Sequence, residues 1–238
     1  MNGIRGGSEG IEYPGLVRRA DMLAPVYIYP NPAGPWTQLN SCYPTMAYMV
    51  ANPSSGPGAS VDPFYASAIT AAQAAGVTIL GYVDTSYTVV LSSTVQANIG
   101  LWKSLYGITD IFFDQVSSDP GAHLAYYSTV CGYVTGRKVL NHGTIPDQGY
   151  AALGDVLAIF EGTGTSWATF APAQWFPAYP PGKFAAFVYS VSGVAAMQST
   201  VTQAIGYGIG NLYITDEADD LFNKLPGYLA QEVSTLSR

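Results

Sequence analysis

The chain has 238 residues, 48% of them hydrophobic, which is ample for a well-filled core. That length suits one α/β barrel as well as two small domains, and no composition break or linker argues for two. Charged residues make up only 11%, the net charge is −7, and no Lys or Arg falls between Arg19 and Lys103. An acidic, base-poor surface argues against nucleic acid and anionic membranes and leaves a neutral or cationic ligand.

Aromatic residues are abundant, with 18 Tyr, 9 Phe and 4 Trp. Tyr-rich clefts suit sugars, because the ring offers an apolar face and a hydroxyl together; the plainer reading is that Tyr packs the core. Cys42 and Cys131 form no metal pattern and no disulfide framework, although a single bridge between them is open. His123 and His142 do not fall at zinc-ligand spacing with either cysteine, so no metal or other cofactor is expected. No apolar run approaches the length of a membrane span. Residues 1–20 are Gly-rich with scattered charge, lack the apolar centre of a signal peptide, and are expected to be a lead without fixed structure.

The first strand is expected at Pro25-Val26-Tyr27-Ile28-Tyr29, followed by a Pro-rich loop and a helical turn at Trp36–Leu39. The second strand, Thr45–Val50, runs into the loop Asn52-Pro53-Ser54-Ser55-Gly56-Pro57-Gly58. Asp62-Pro63 opens a helix that Gly76 closes, with Asp as N-cap and Pro at the first helical position. Val77–Val83 is the third strand, and Val95, Ile99, Trp102 and Leu105 give the next helix its period. The fourth strand, Ile111-Phe112-Phe113, ends on Asp114; a helix from about Pro120 to Val134 leads to the fifth, Lys138–Asn141. A brief helix at Asp147–Leu153 precedes the sixth strand, Val156–Phe160, which ends on Glu161. After an aromatic-rich connection come the seventh strand, Lys183–Tyr189, a helix at Val194–Tyr207 and the eighth strand, Asn211–Thr215. The last helical stretch reaches Leu236 with a break at Pro226-Gly227. Eight apolar strands alternating with helices predict a single-domain (β/α)8 barrel over residues 21–238. An open doubly wound sheet is the alternative, and it would leave its edge strands more polar than these.

In a barrel the strand ends converge on one face. Here they carry Asn52, Asp84, Asp114, Gln115, Asn141, Glu161 and Asp216, with Tyr29, Tyr87 and Tyr189. Asp110, Asp155 and Lys183 sit instead at strand starts and weaken the contrast. Asp114 and Glu161 stand out, because a charge abutting a buried run is usually held there for a reason. Asp216 lies in an acidic stretch where a helix start would attract acids anyway, and His142 reads more simply as a hydrogen-bonding loop residue than as a proton carrier. The one Gly-x-Ser-x-Gly match, Gly6–Gly10, lacks the strand and helix that a nucleophile elbow needs, and no phosphate loop or dinucleotide fingerprint occurs. Two carboxylates on one barrel face suggest glycoside hydrolysis, with Trp167 and its aromatic neighbours lining subsites.

Five stretches carry a family resemblance. Val26-Tyr27-Ile28-Tyr29-Pro30, Asn52–Gly58, Gly81-Tyr82-Val83-Asp84-Thr85-Ser86-Tyr87, Ile111-Phe112-Phe113-Asp114 and Leu140-Asn141-His142-Gly143-Thr144 resemble, in the same order, the spherulin-4 family. That family is similar to glycoside hydrolase family 135, barrel enzymes acting on α-1,4-linked N-acetylgalactosamine within galactosaminogalactan. The resemblance implies a secreted or cell-surface barrel with a polysaccharide substrate in a sugar cleft and acids at the ends of strands four and six; a monomer is expected. Two positions depart from the family. Gln115 stands where a Glu typically follows the Asp, and His142 where Pro is common; Gln keeps the size of Glu but cannot donate a proton as an acid. The expected reading is therefore a hydrolase with Asp114 as nucleophile and Glu161 as acid/base. A carbohydrate-binding pseudoenzyme weakened by Gln115 is the alternative. Strands lie roughly 4.8 Å apart, so the two backbones should be on the order of 10 Å apart, with inward side chains closing the gap.

Overall fold

The computed structural model describes residues 20–219 and 221–237. Residues 1–19 of the expected lead, with the Gly6–Gly10 match, lie outside the described residues; Ala20 is buried in the core. Eight strands, β1 (Asp21–Val26), β2 (Met46–Ala51), β3 (Thr78–Asp84), β4 (Ile111–Asp114), β5 (Lys138–Asn141), β6 (Val156–Thr163), β7 (Phe184–Tyr189) and β8 (Asn211–Ile214), pair in parallel and in sequence. β8 returns to β1 and closes the barrel. Among the described residues seven helices surround it: α1 (Gly34–Asn40), α2 (Pro63–Ala74), α3 (Ser92–Tyr106), α4 (Ala122–Cys131), α5 (Gly164–Trp167), α6 (Val194–Gly206) and α7 (Leu229–Leu236).

The local chemistry explains most boundaries. Asp62 caps α2 by accepting from the N–H groups of Phe64 and Tyr65 at 2.8 and 3.1 Å. Gly107, at φ 69°, ends α3 in the left-handed conformation that a side chain would resist. Gly81 on β3 leaves room for the Trp102 ring, which packs where a Cβ would stand and donates its Nε1–H to Tyr82 O at 2.8 Å. Asp147 caps a 3-10 turn, Gln148–Ala152, in place of the expected helix between β5 and β6.

Two elements differ from expectation. β1 starts at Asp21 rather than Pro25, because Met22, Leu23 and Ala24 are the fully buried residues. Pro25 is tolerated near its end because β1 pairs with β8 only through Asp21–Asn211 and Met22–Leu212. The Tyr27 N–H, two residues on, points to Phe222 O in the loop after β8, so the donor that Pro25 lacks would fall on that same unpaired side. The last helix begins only at Leu229. The Phe222 N–H goes to Glu217 Oε2 and the Gly227 N–H to Asp216 Oδ1, so these acids tie a loop instead of starting a helix.

At the seam where β8 meets β1, the Thr215 N–H bonds Val188 O of β7, which leaves the Ile214 N–H facing β1. Its partner is Oε1 of Glu232 from α7, at 2.8 Å. Glu232 is wholly buried, and burial raises its carboxyl far above the ordinary range.

The polar strand starts are structural. Asp110 accepts from the Arg137 N–H, Asp155 accepts from the Lys138 N–H at 2.7 Å, and the Lys183 ammonium donates to Gly154 O. Both cysteines are free thiols, and burial pushes Cys131 up to about 12.

Candidate active site

Strand register decides which side chains enter the barrel. Phe112 and Asp114 of β4 stand level with Tyr82 and Asp84 of β3, and Phe112 with Val139 of β5, so Asn141, two residues after Val139, shares that inward face. On β6 the same alternation would aim Phe160 inward and Glu161 outward. It does not, because the register against β7 shifts between Ala158 and Phe160. That bulge turns Phe160 out against Trp167, at 4.9 Å between ring centroids, and brings Glu161 level with the inward-facing Phe187. Gly143, at φ 63°, carries the chain after β5 past Glu161, where a Cβ added to it would stand 3.7 Å from the Glu161 Cβ.

Asp114 and Glu161 meet through one group. The Asn141 side-chain amide donates to Asp114 Oδ1 at 2.7 Å and to Glu161 Oε2 at 2.6 Å. Two bonds of those lengths from a single nitrogen hold the two oxygens no more than 5.3 Å apart. Asn141 Oδ1 accepts from the Gly143 N–H at 3.2 Å, which fixes the amide's orientation. Asp114 Oδ2 accepts from the Tyr82 hydroxyl at 2.8 Å, so both its oxygens are engaged by donors. Burial raises the Glu161 carboxyl above its ordinary range; the Asn141 bond lowers it and the Asp114 charge raises it further. Tyr82 is held well above the usual phenol range by burial, then by the Asp114 charge and hydrogen bond.

Beneath the acids lies a closed circuit of rings. Tyr27, Tyr82, Phe112, Phe187 and Phe222 each contact the next, and Phe222 returns to Tyr27, with centroid separations from 5.8 to 6.4 Å. Tyr27 is held far above its ordinary value, by burial first and then by the charges of Asp114, Tyr82 and Glu161. An apolar floor that lowers the local dielectric under two carboxylates strengthens every charge interaction between them and a substrate.

A family model described as Spherulation-specific family 4 matches residues 21–236, which spans the whole barrel. The chain belongs to that family. Spherulin-4 of Physarum polycephalum is 32% identical over 233 residues, covering 90% of this chain and 69% of its own length. Among solved structures, Aspergillus clavatus Sph3 in complex with GalNAc is similar at a TM-score of 0.81 and 26% identity, covering 93% of this chain and 99% of its own. Dihydrodipicolinate synthase from Bacillus clausii, at a TM-score of 0.53 and 11% identity over 90% of this chain and 73% of its own, shares the fold alone.

The other expected site residues of this spherulation-specific family 4 barrel divide into three groups. Tyr29, Tyr87 and Gln115 are exposed and Tyr189 is half-buried, all on the face that carries the acids. Asn52, Asp84 and Asp216 are on that face too, but they serve backbone: Asn52 Oδ1 accepts from the Gly56 N–H, Asp84 takes both the N–H and the hydroxyl of Ser86, and Asp216 holds Gly227. Trp167 is not a subsite residue. It is 2% exposed and stacks on Phe170 at 4.9 Å in the outer layer beneath the connection. His142 is no proton carrier either: burial lowers it to about 3, so it is neutral, and Nδ1 donates to Ser117 O at 3.0 Å.

Tyr82, Tyr27 and Phe222 are not among the expected site residues. Tyr82 had a signal, since it stands two residues before Asp84 and so on the same strand face. Phe222 had none, because it reaches the floor from a loop.

Proposed function

We propose that this family 4 barrel is a glycoside hydrolase that cleaves α-1,4-linked N-acetylgalactosamine or galactosamine polysaccharide, with Asp114 as nucleophile and Glu161 as acid/base. The observation that carries the reading is the single Asn141 amide shared by both carboxylates. Two carboxylate oxygens held at most 5.3 Å apart by one amide suit the close pair of a retaining enzyme, whose carboxyl groups stand roughly 5–5.5 Å apart. The roles follow from surroundings. Burial raises the Glu161 carboxyl, the direction that suits the group giving a proton to the leaving oxygen. Asp114, which accepts from Tyr82 and Asn141, is an oriented acceptor aimed at the anomeric carbon. In an α-linked 2-acetamido sugar the acetamide lies on the leaving group's own face and cannot displace it from behind, which favours a protein nucleophile. The GalNAc in the Sph3 complex supports an N-acetylhexosamine ligand.

The pair, its bridging amide and its floor are complete within one chain, so the proposed chemistry needs no second copy. A polymer substrate points to a secreted or cell-surface setting. Among the described residues no helix is long and apolar enough to cross a membrane.

The test is incubation with galactosaminogalactan. Released oligosaccharides, lost on Glu161→Gln, are the expected result; intact polymer with the active-site pair unaltered overturns the reading. A second reading, a carbohydrate-binding pseudoenzyme, draws on Gln115, an exposed amide where the family typically has Glu. Binding without products, with cleavage appearing on Gln115→Glu, selects it. Partly deacetylated galactosamine polymers are cationic and the chain carries −7, so binding should weaken as salt rises. Salt-insensitive binding counts against the cationic form as substrate.

A further inference from the structure

Three successive residues after β3 adopt left-handed backbone without a glycine among them: Ser86 at φ 40°, Tyr87 at 54° and Thr88 at 80°. Each such residue is disfavoured, a β-branched one most of all, and a run of them persists only where the surroundings over-determine it. The surroundings here do. Asp84 accepts from the Ser86 N–H and hydroxyl, both at 2.7 Å. The buried Thr85 hydroxyl lies 2.9 Å from Asp114 O, Gln115 O and the Tyr127 hydroxyl. The Tyr87 N–H donates to Gln115 O at 2.8 Å, and the Tyr126 hydroxyl donates to Val90 O at 2.6 Å.

Such bonding ordinarily fixes a residue in a core, yet the residue fixed here faces solvent. Tyr87 is 57% exposed, and Val89 and Leu91 beyond it are 81% and 71% exposed. The turn is bonded directly to the residue that follows Asp114, so Tyr87 stands beside the strand end that carries this acid. A galacto-configured sugar has an axial O4, which leaves the C–H groups of C3, C4 and C5 as an apolar patch on the opposite face, of the kind that stacks on a tyrosine ring.

We infer that the Ser86–Thr88 turn is a rigid mount that presents Tyr87 as a stacking subsite for a hexosamine unit beyond the one cleaved, with Asp84 as the positioning residue that locks it. This rests on the glycan-cleaving reading above and adds a dependence on chain length. It also gives Asp84 a task without sugar contact, which fits both its oxygens being taken by Ser86.

The test is calorimetric binding of α-1,4-galactosamine oligomers of increasing length to the full chain carrying Glu161→Gln, so that cleavage does not intervene. Adding Tyr87→Ala should weaken binding by a factor that grows with length, reaching about tenfold or more for long oligomers, the effect of losing an aromatic anchor. Tyr87→Trp should restore the length dependence. Asp84→Ala should reproduce the Tyr87→Ala pattern; if it does not fold, Ser86→Ala, which removes only the hydroxyl bond to Asp84, takes its place with a smaller effect of the same shape. A loss equal at every length, or no loss at any, overturns the inference while leaving the hydrolase reading intact. A parent that binds no galactosamine oligomer at all overturns both.

Discussion

At the N-terminal end of the barrel, Asp110 and Asp155 each accept from a backbone N–H at the edge of β5. At the C-terminal end, Asp114 and Glu161 share a side-chain donor and face one another. The backbone differs in the same sense. In the turns that enter strands, left-handed positions belong to glycines: Gly76, Gly107 and Gly208. In the loops that leave strands, Ser55, Ser86, Tyr87, Thr88, Gln115, Ser190 and Phe222 hold that conformation with side chains attached. One end is relaxed and its acids complete the fold. The other keeps strained backbone and facing carboxylates, which stability alone does not select. Residue type does not separate the two kinds of acid; what each one bonds does.

The sharpest way to break the comparison is to neutralise acids at the site end. Asp114→Asn and Glu161→Gln should each lower turnover by about 10³-fold or more while the fold survives. The stability sign for Glu161 can be worked out. Its folded value is raised, so its contribution is full below the ordinary value of 4.5 and is lost as pH rises through the folded value. Glu161→Gln should therefore melt higher than the parent at neutral pH, with the gap closing in acid. A variant that melts lower at neutral pH, or keeps its turnover, puts this acid with those of the other end.

Asn141→Ala should cost turnover about 10²-fold, because it unties both carboxylates at once. The Asn141 bond lowers Glu161, so without it the alkaline limb of the rate profile should move to higher pH. An unmoved limb would mean that Glu161 is not the proton donor. At the opposite end, Asp110→Ala should remove about 1–2 kcal/mol of stability in denaturant titration and leave turnover alone, since it strips a charged acceptor from one backbone amide. The smallest effect belongs to Thr88→Gly, which relieves left-handed strain at φ 80° against glycine's own entropy. A gain of about 0.5 kcal/mol or less is expected, with poorer oligomer binding as the turn loosens; lost stability would show that Thr88 is unstrained.

Much of this was legible in one sequence, for physical reasons. Parallel strands buried on both faces are short apolar runs, and an acid after such a run marks both its end and the face on which the acids gather, as at Asp114. Glu161 could be placed at a strand end, but its inward aim rests on a bulge at Ala158–Phe160 that no alternation reveals. Trp167 misled because an aromatic in a Pro-rich connection can line a cleft or cover a core equally well, and its neighbours Phe160 and Phe170 settle that only in three dimensions. β1 was displaced because Tyr27 and Ile28 look like strand, whereas Tyr27 is a floor residue whose N–H bonds a loop.

The Glu232 carboxyl at the seam between β8 and β1 bears on the order in which the molecule is assembled. Strands β1 to β7 can zip neighbour to neighbour as they form, but the ring they make is shut across only two residue pairs plus a side chain from α7. Closure must wait for the helix that follows the last strand, so the barrel should acquire its sheet before its seal. In pulsed hydrogen exchange during refolding, the Ile214 amide should gain protection after those of β4 and β5, and with Glu232→Ala it should exchange quickly in an otherwise folded chain.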